Sequence, residues 1–396
     1  MSTLLLLVGA NGLPNYITVK YLFQNPPKTG GDYPGEVFDK IYLLHSKKYN
    51  NLELKNLMNA ISDIPRLTGY AQDIGSVKSL VIDDISDFAR MKQRIEDVIK
   101  KEDEIVHLHY TGGRRTIGVQ ARAAIEELEF LSQKNNNKKF AEIHYSYLDP
   151  EAHKLLYDNT TRPNSKMLMK EIQVELEELA TVQGWKIIKS SNEKVAEEVV
   201  DEKFNRVIRQ SPQYEADELV SKLGKIEEEA QPILEEVEKF RRQKWLHYHV
   251  YNRVLNFARL NKNHKVKAFC DLKLSRENNG ENFVPEYTFL ALQGYQLTYF
   301  VCPVTADRGE ILHYETEKYK RARREIKGYA FEALHRAKQL GGSEARVVLI
   351  SLDYDIQNLQ QELSSDFRGE DFSLIVWGYQ DLRNLDFKIA QLFPDN

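Results

Sequence analysis

His107-Leu-His-Tyr-Thr-Gly-Gly-Arg-Arg-Thr-Ile-Gly-Val119 is the stretch on which the fold turns. It follows the charged Lys100-Lys-Glu-Asp-Glu104 and the apolar pair Ile105 and Val106. Residues 105–110 predict a short buried strand, and Thr111-Gly112-Gly113 a tight loop. From Thr116 to Phe130 the spacing predicts a helix with Ile117, Ala121, Ala124, Ile125 and Leu128 on one face. A strand that breaks at Gly-Gly and enters a helix suits an anion. Glycine lets the backbone come close, and the free N–H groups of the first helical turn point outward. Arg114 and Arg115 add positive charge beside that loop. Taken alone, such a turn is more often only a turn.

The N-terminus holds a second copy of the arrangement. Leu4-Leu-Leu-Leu-Val8 predicts a strand, Gly9-Ala-Asn-Gly-Leu-Pro-Asn15 a polar loop, and residues 14–24 a helix. Further strands are expected at 41–45, 77–84 and 140–147, with helices at 50–62 and 86–101 between them. Alternating strand and helix favours a mostly parallel sheet covered on both faces. Both small loops then lie at the carboxyl ends of parallel strands, where such sheets bind ligands.

Four segments, in this order, resemble the CARF (CRISPR-associated Rossmann fold) family: Gly9-Ala-Asn-Gly-Leu-Pro-Asn15, Ile41-Tyr-Leu-Leu-His-Ser46, His109-Tyr-Thr-Gly-Gly113 and Ser146-Tyr-Leu-Asp-Pro150. The resemblance is to the two-domain CARF–nuclease effectors of type III CRISPR defence. It covers the whole chain, and is specific in the first half and partial in the second. It implies a homodimeric receptor for a cyclic oligoadenylate, with cyclic tetra-adenylate the first choice. It places Gly9, Asn11, Gly12, His45, Ser46, Thr111, Gly112, Gly113, Arg114 and Arg115 around the ligand. Some CARF domains also cut their ligand without metal, as a ring nuclease, by aligning a ribose 2′-hydroxyl for in-line attack. Ser46, Lys47, Arg114, Arg115 and Thr116 are the residues here that could steady such a step.

The expected organisation is a Rossmann-like CARF domain over 1–150, a helical connector over 151–243 and a restriction-endonuclease-like α/β domain over 244–396. Residues 166–183 predict a helix, and 191–243 a charged helical tract. Trp245 to Leu260, the strands at 266–274, 287–292 and 296–302, the long basic helix 315–340 and strands at 346–352 and 374–378 follow the order of a PD-(D/E)xK nuclease. That family needs a carboxylate on one hairpin strand and Glu-x-Lys on the next, because carboxylates hold the divalent cations that activate water.

Here the Glu-x-Lys position reads Val301-Cys302-Pro303, the first carboxylate position falls at Tyr287–Thr288, and the family's Trp-Leu-Glu helix motif reads Trp245-Leu246-His247. Valine and proline neither bind Mg²⁺ nor move a proton, so the expectation is a nuclease fold without its active site. No cofactor is then required. Mg²⁺ or Mn²⁺ enters only if relocated ligands serve an active nuclease, for which Glu286 and Lys318 are the candidates. His247-Tyr-His249 is not a helical metal pair, since i and i+2 face apart.

A net charge of −4 gives no global signature for nucleic acid, although 55 Lys and Arg leave room for a local basic surface. Glu317-Lys-Tyr-Lys-Arg-Ala-Arg-Arg-Glu-Ile-Lys327 is the densest such stretch. Two cysteines argue against a disulfide scaffold. The apolar run Leu4–Val8 is too short for a signal core or a membrane span, and the expected compartment is the cytoplasm.

Overall fold

A computed structural model describes residues 2–9, 11–24, 38–46, 51–64, 76–82, 88–99, 105–112, 115–134, 142–149, 152–158, 165, 167–191, 245–276, 282–283, 288–303, 317–351, 356–366 and 373–394. The chain divides into two α/β units, Met1–Trp185 and Lys186–Asn396.

The first unit is built on a six-stranded sheet in the order β3-β2-β1-β4-β5-β6. Its strands are β1 (Ser2–Leu7), β2 (Lys40–Ser46), β3 (Ser76–Ile82), β4 (Ile105–His109), β5 (Glu142–Asp149) and β6 (Lys154–Tyr157). The first five pair in parallel, and β6 closes the edge antiparallel to β5. Alternation sends Leu5 and Leu7 of β1 to one face. There they join Val106, Leu108 and Tyr145 beneath α3 (Phe88–Val98) and α4 (Arg115–Lys134). Ile117, Ala121, Ala124, Ile125 and Leu128 are the buried side of α4, as the spacing predicts.

The opposite face is covered by α1 (Leu13–Gln24), which packs against α2 (Asn51–Ser62). Continuous apolar strands such as Leu4–Leu7 belong in such a sheet, because both faces are dry.

After β6 come two short helices, α5 (Leu168–Glu171) and α6 (Leu176–Val182), where one helix over 166–183 was expected. The break at 172–175 buries Ile172 and Val174, two β-branched residues that pack better than they propagate a helix. Helix α6 docks on α1 and α2. Glu178 fixes it there, accepting from the Lys20 ammonium at 2.6 and 2.8 Å and from the Glu175 N–H at 2.8 Å. The expected connector over 151–243 is therefore not one body. Its first part, through Trp185, completes the first unit. Lys186–Ser191 is β7, an edge strand of the second sheet. The charged tract expected from there to 243 lies outside the described residues.

The second unit carries the order β13-β12-β11-β10-β8-β7, with the short β9 (Asn282–Phe283) on β8. Strands β8 (Val266–Ser275), β10 (Thr288–Gln293) and β11 (Gln296–Val301) form an antiparallel meander. Strands β12 (Arg346–Ile350) and β13 (Ser373–Trp377) continue in parallel. Helices α7 (Trp245–Leu260), α10 (Tyr379–Arg383) and α11 (Leu385–Leu392) cover one face, around Phe289, Phe300 and Trp377. The long α8 (Glu317–Gly341) packs on β11 and β12, and α9 (Ile356–Asp366) on β13. Helix α8 stops at the expected pair, with Gly342 at φ +67°.

Candidate functional site

Strand β1 leads to β2 on one side, while its other neighbour is β4, reached only after the chain has crossed the sheet. The carboxyl ends of β1 and β4 thus flank the topological switch point, where an open α/β sheet leaves a crevice. The loops after these strands touch. A Cβ on Gly112 would overlap the Leu7 carbonyl oxygen and sit 3.0 Å from the Gly9 nitrogen. Only glycine fits there, so the close approach of the loops explains this residue before any ligand is considered. At Gly12 a Cβ would meet Leu57 of α2 at 3.3 Å.

Side chains brace both loops. Asn11 Oδ1 accepts from the Leu13 N–H at 3.0 Å, capping α1, and from Gln183 Nε2 at 3.1 Å. Asn15, fully buried, donates to the Leu7 carbonyl at 3.1 Å. The Thr111 hydroxyl accepts from the Leu148 N–H. His45 is buried at the end of β2, with Nδ1 3.0 Å from the Ser46 carbonyl and Nε2 2.9 Å from Ser79 Oγ. The carbonyl only accepts, so Nδ1 carries a proton.

Ser46 is half-buried beside His45. Gly9 and Gly112 come together at the switch point, Asn11 is turned to Gln183 and Gly12 to Leu57, Thr111 holds the end of β5, and His45 and Ser46 stand one strand away. Gly113 and Arg114 lie outside the described residues. Arg115 opens α4, and its side chain is likewise outside.

A polar network runs beneath the second loop. His107 and His109 of β4 share a sheet face with His144 and Ser146 of β5, paired His107 to His144 and His109 to Ser146. All four are fully buried. Ser146 Oγ lies 2.7 Å from His107 Nε2 and 3.0 Å from His109 Nδ1, and His109 Nε2 lies 3.1 Å from Thr18 Oγ1 of α1. The hydroxyl has one proton, so at least one of the two imidazoles donates to it. Burial, reinforced by the neighbouring His107, holds the His109 imidazole neutral, its pKa lowered to about 3. Phe38 and Tyr157 meet the edge of His107 at ring distances of 5.9 and 5.8 Å.

Sequence reading did not single out Thr18 or Gln183, and met Ser146 only as the first residue of a motif. The visible signal was a pair of polar residues at i and i+2 on each of two apolar strands.

In the second unit, the hairpin expected to carry nuclease chemistry is present. Thr288 of β10 faces Val301 of β11 across the strands. Val301, Cys302 and Pro303 are all buried, and Phe289 stacks on Phe300 at 4.4 Å and 7°. His247 packs its ring against Phe289 at 5.6 Å. Burial pushes the Cys302 thiol far up. Valine and proline side chains offer a divalent cation no ligand and Thr288 offers only a neutral hydroxyl, and no group of three or more His, Cys, Asp or Glu poised for metal occurs among the described residues. Glu286 lies outside them. Lys318 falls in the first turn of α8, with its side chain outside.

The basic face of α8 is partly spoken for. Arg323 and Lys327 pair with Glu362 of α9, Lys327 also with Asp366, and Lys320 and Arg321 pair with Glu317 and Glu325 along the helix. No described helix is long and apolar enough to cross a membrane.

The fold is similar to that of a solved structure, the crystal structure of protein VC1899 from Vibrio cholerae. The TM-score is 0.63, over 100% of this chain and 99% of that one, at 10% identity. At that identity the likeness is one of fold: a two-unit α/β chain. No protein-family model matches the sequence, and no curated protein matches it.

Proposed function

We propose that this chain is a cytoplasmic, homodimeric receptor for a cyclic oligoadenylate, cyclic tetra-adenylate first, in type III CRISPR antiviral defence. The observation that carries this reading is the apposition of the two glycine loops at the β1–β4 switch point, where Gly112 lies against the Leu7 carbonyl and Gly9. Backbone left uncovered by side chains at strand ends is suited to phosphate. Two such crevices related by a dimer axis match a ring of four phosphates. The residues implied by resemblance are divided by their bonding. Asn11, His45 and Thr111 shape the loops through internal hydrogen bonds. Gly112 lets the second loop close on Leu7 and Gly9, and Gly12 lets the first loop close on Leu57.

The second unit acts through a change of shape passed to a partner. Its hairpin offers Thr288 and Val301 where a metal-dependent nuclease would hold carboxylates. Titration of the purified chain with cyclic tetra-adenylate, cyclic hexa-adenylate and the linear tetranucleotide tests the reading. Tight binding of one ring size, saturating at one ring per two chains, is expected. Absence of binding to either ring overturns it. Ligand-dependent cutting of plasmid or single-stranded RNA in Mn²⁺ would overturn the account of the second unit alone.

A further inference from the structure

Two tyrosines stand at the carboxyl ends of β4 and β5, next to the switch point. Tyr110 follows β4 directly and precedes Thr111-Gly112, and Tyr147 lies near the end of β5. Their rings are 5.6 Å apart and tilted by 31°. Both are half-buried, unlike Tyr145, which is buried under the Arg122 guanidinium at 5.0 Å.

Tyr110 is held at both ends. Its N–H donates to the Ser146 carbonyl at 3.0 Å, and its hydroxyl donates to Asp158 Oδ2 at 2.6 Å. Asp158 is itself fixed, by the Arg122 guanidinium of α4 and by its own N–H, which donates to the Tyr145 carbonyl at 3.1 Å. Tyr110 also packs on the apolar cluster beneath α4, to which Tyr147 does not belong. The result is one anchored ring supporting a second, at the carboxyl end of the sheet and on the face that α4 covers. A rigid aromatic plane of this kind is what nucleic-acid-binding proteins use to stack bases.

We propose that Tyr110 and Tyr147 form a base-stacking platform for a purine of the bound nucleotide, with Tyr147 the ring that meets the base and Tyr110 its support. This rests on the reading under Proposed function and adds to it the element that reads the base rather than the phosphate. Asp158 and Arg122 are positioning residues: they act by fixing the plane of Tyr110.

The test is binding of cyclic tetra-adenylate to the full chain and to Tyr147→Phe, Tyr147→Leu and Tyr147→Trp, each with its melting temperature. The platform requires that Phe bind within about three-fold of the wild type, and that Leu bind about ten-fold or more weakly at unchanged melting temperature, the size of one lost stack. It also requires that the emission of the Tyr147→Trp chain fall on saturation by more than that of the wild type, whose Trp185, Trp245 and Trp377 set the baseline. Leu binding as tightly as the wild type, or unmoved emission in the Trp variant at saturation, overturns the platform while the receptor stands. A wild-type chain that binds no ring overturns the receptor reading and the platform with it.

Discussion

The ends of β4 and β5 in the first unit and the β10–β11 hairpin in the second are two places where, among the described residues, chemistry-bearing positions come together, and they are filled in opposite ways. In the first, His107, His109, Ser146 and Thr18 are buried and joined into one hydrogen-bonded network. In the second, the facing positions are Thr288 and Val301, and the interior beside them is the stacked pair Phe289 and Phe300. A buried polar network is stable only when its members are satisfied, whereas an apolar hairpin is stable without partners but cannot hold an ion. The same kind of location, strand ends on a central sheet, thus serves a braced crevice in one unit and core in the other.

Introducing a carboxylate into the hairpin should expose this contrast most sharply. Val301→Glu places a carboxylate where the native side chain is 1% exposed, and should lower stability at pH 7 by about 4 kcal/mol or more. Denaturant unfolding of the second unit, with and without Mn²⁺, measures it. A variant that remains stable and gains stability from the metal would break the comparison.

In the first unit, Gly112→Ala drives a methyl into the Leu7 carbonyl and should destabilise by about 3 kcal/mol, since the obstacle is backbone. Exchange of the β1 and β4 amides would report it. Ser146→Ala deprives His107 and His109 of their shared partner and should remove about 2–3 kcal/mol. An effect under about 0.5 kcal/mol would mean that the network is ornamental.

The smallest of the four effects is set by acid. His109 is held neutral to about pH 3 when folded, against about 6.5 when unfolded, so the unfolded chain takes up the proton first. The stability this gives is fully present above pH 6.5 and is lost progressively as the pH falls toward 3. At pH 5 the loss should be about 2 kcal/mol from this group. A His109→Gln chain that keeps the full profile over that window would assign the titration elsewhere.

Much of the first sheet was legible because its strands are continuous apolar runs separated by amphipathic helices. Residues 105–110, 116–132 and 140–147 fall on β4, α4 and β5 within a few positions. Of the edge strands, β3 and β13 were legible and β6 and β7 were not. Lys154–Tyr157 and Lys186–Ser191 carry exposed lysines and little alternation, and become strands only because β5 and β8 offer them a partner. Helices α9, α10 and α11 are short and were passed over for the same reason: packing on the sheet, rather than propensity, makes them helical. In the site, the glycine loops could be read, but their braces could not. Gln183 reaches Asn11 across 172 residues of chain, and nothing local in either predicts the contact.

The sequence by itself determined the α/β class, the position of both glycine loops and the absence of a carboxylate or lysine from Val301-Cys302-Pro303. These are statements about periodicity and residue chemistry, which are local. Only the tertiary structure decided that β1 and β4 are neighbours, that Gly112 is glycine because the Leu7 carbonyl lies against it, that residues up to Trp185 complete the first unit, and that His109 is neutral. Each of these depends on what a residue is buried against. Burial partners come from strand order, and no stretch of the chain carries that order alone.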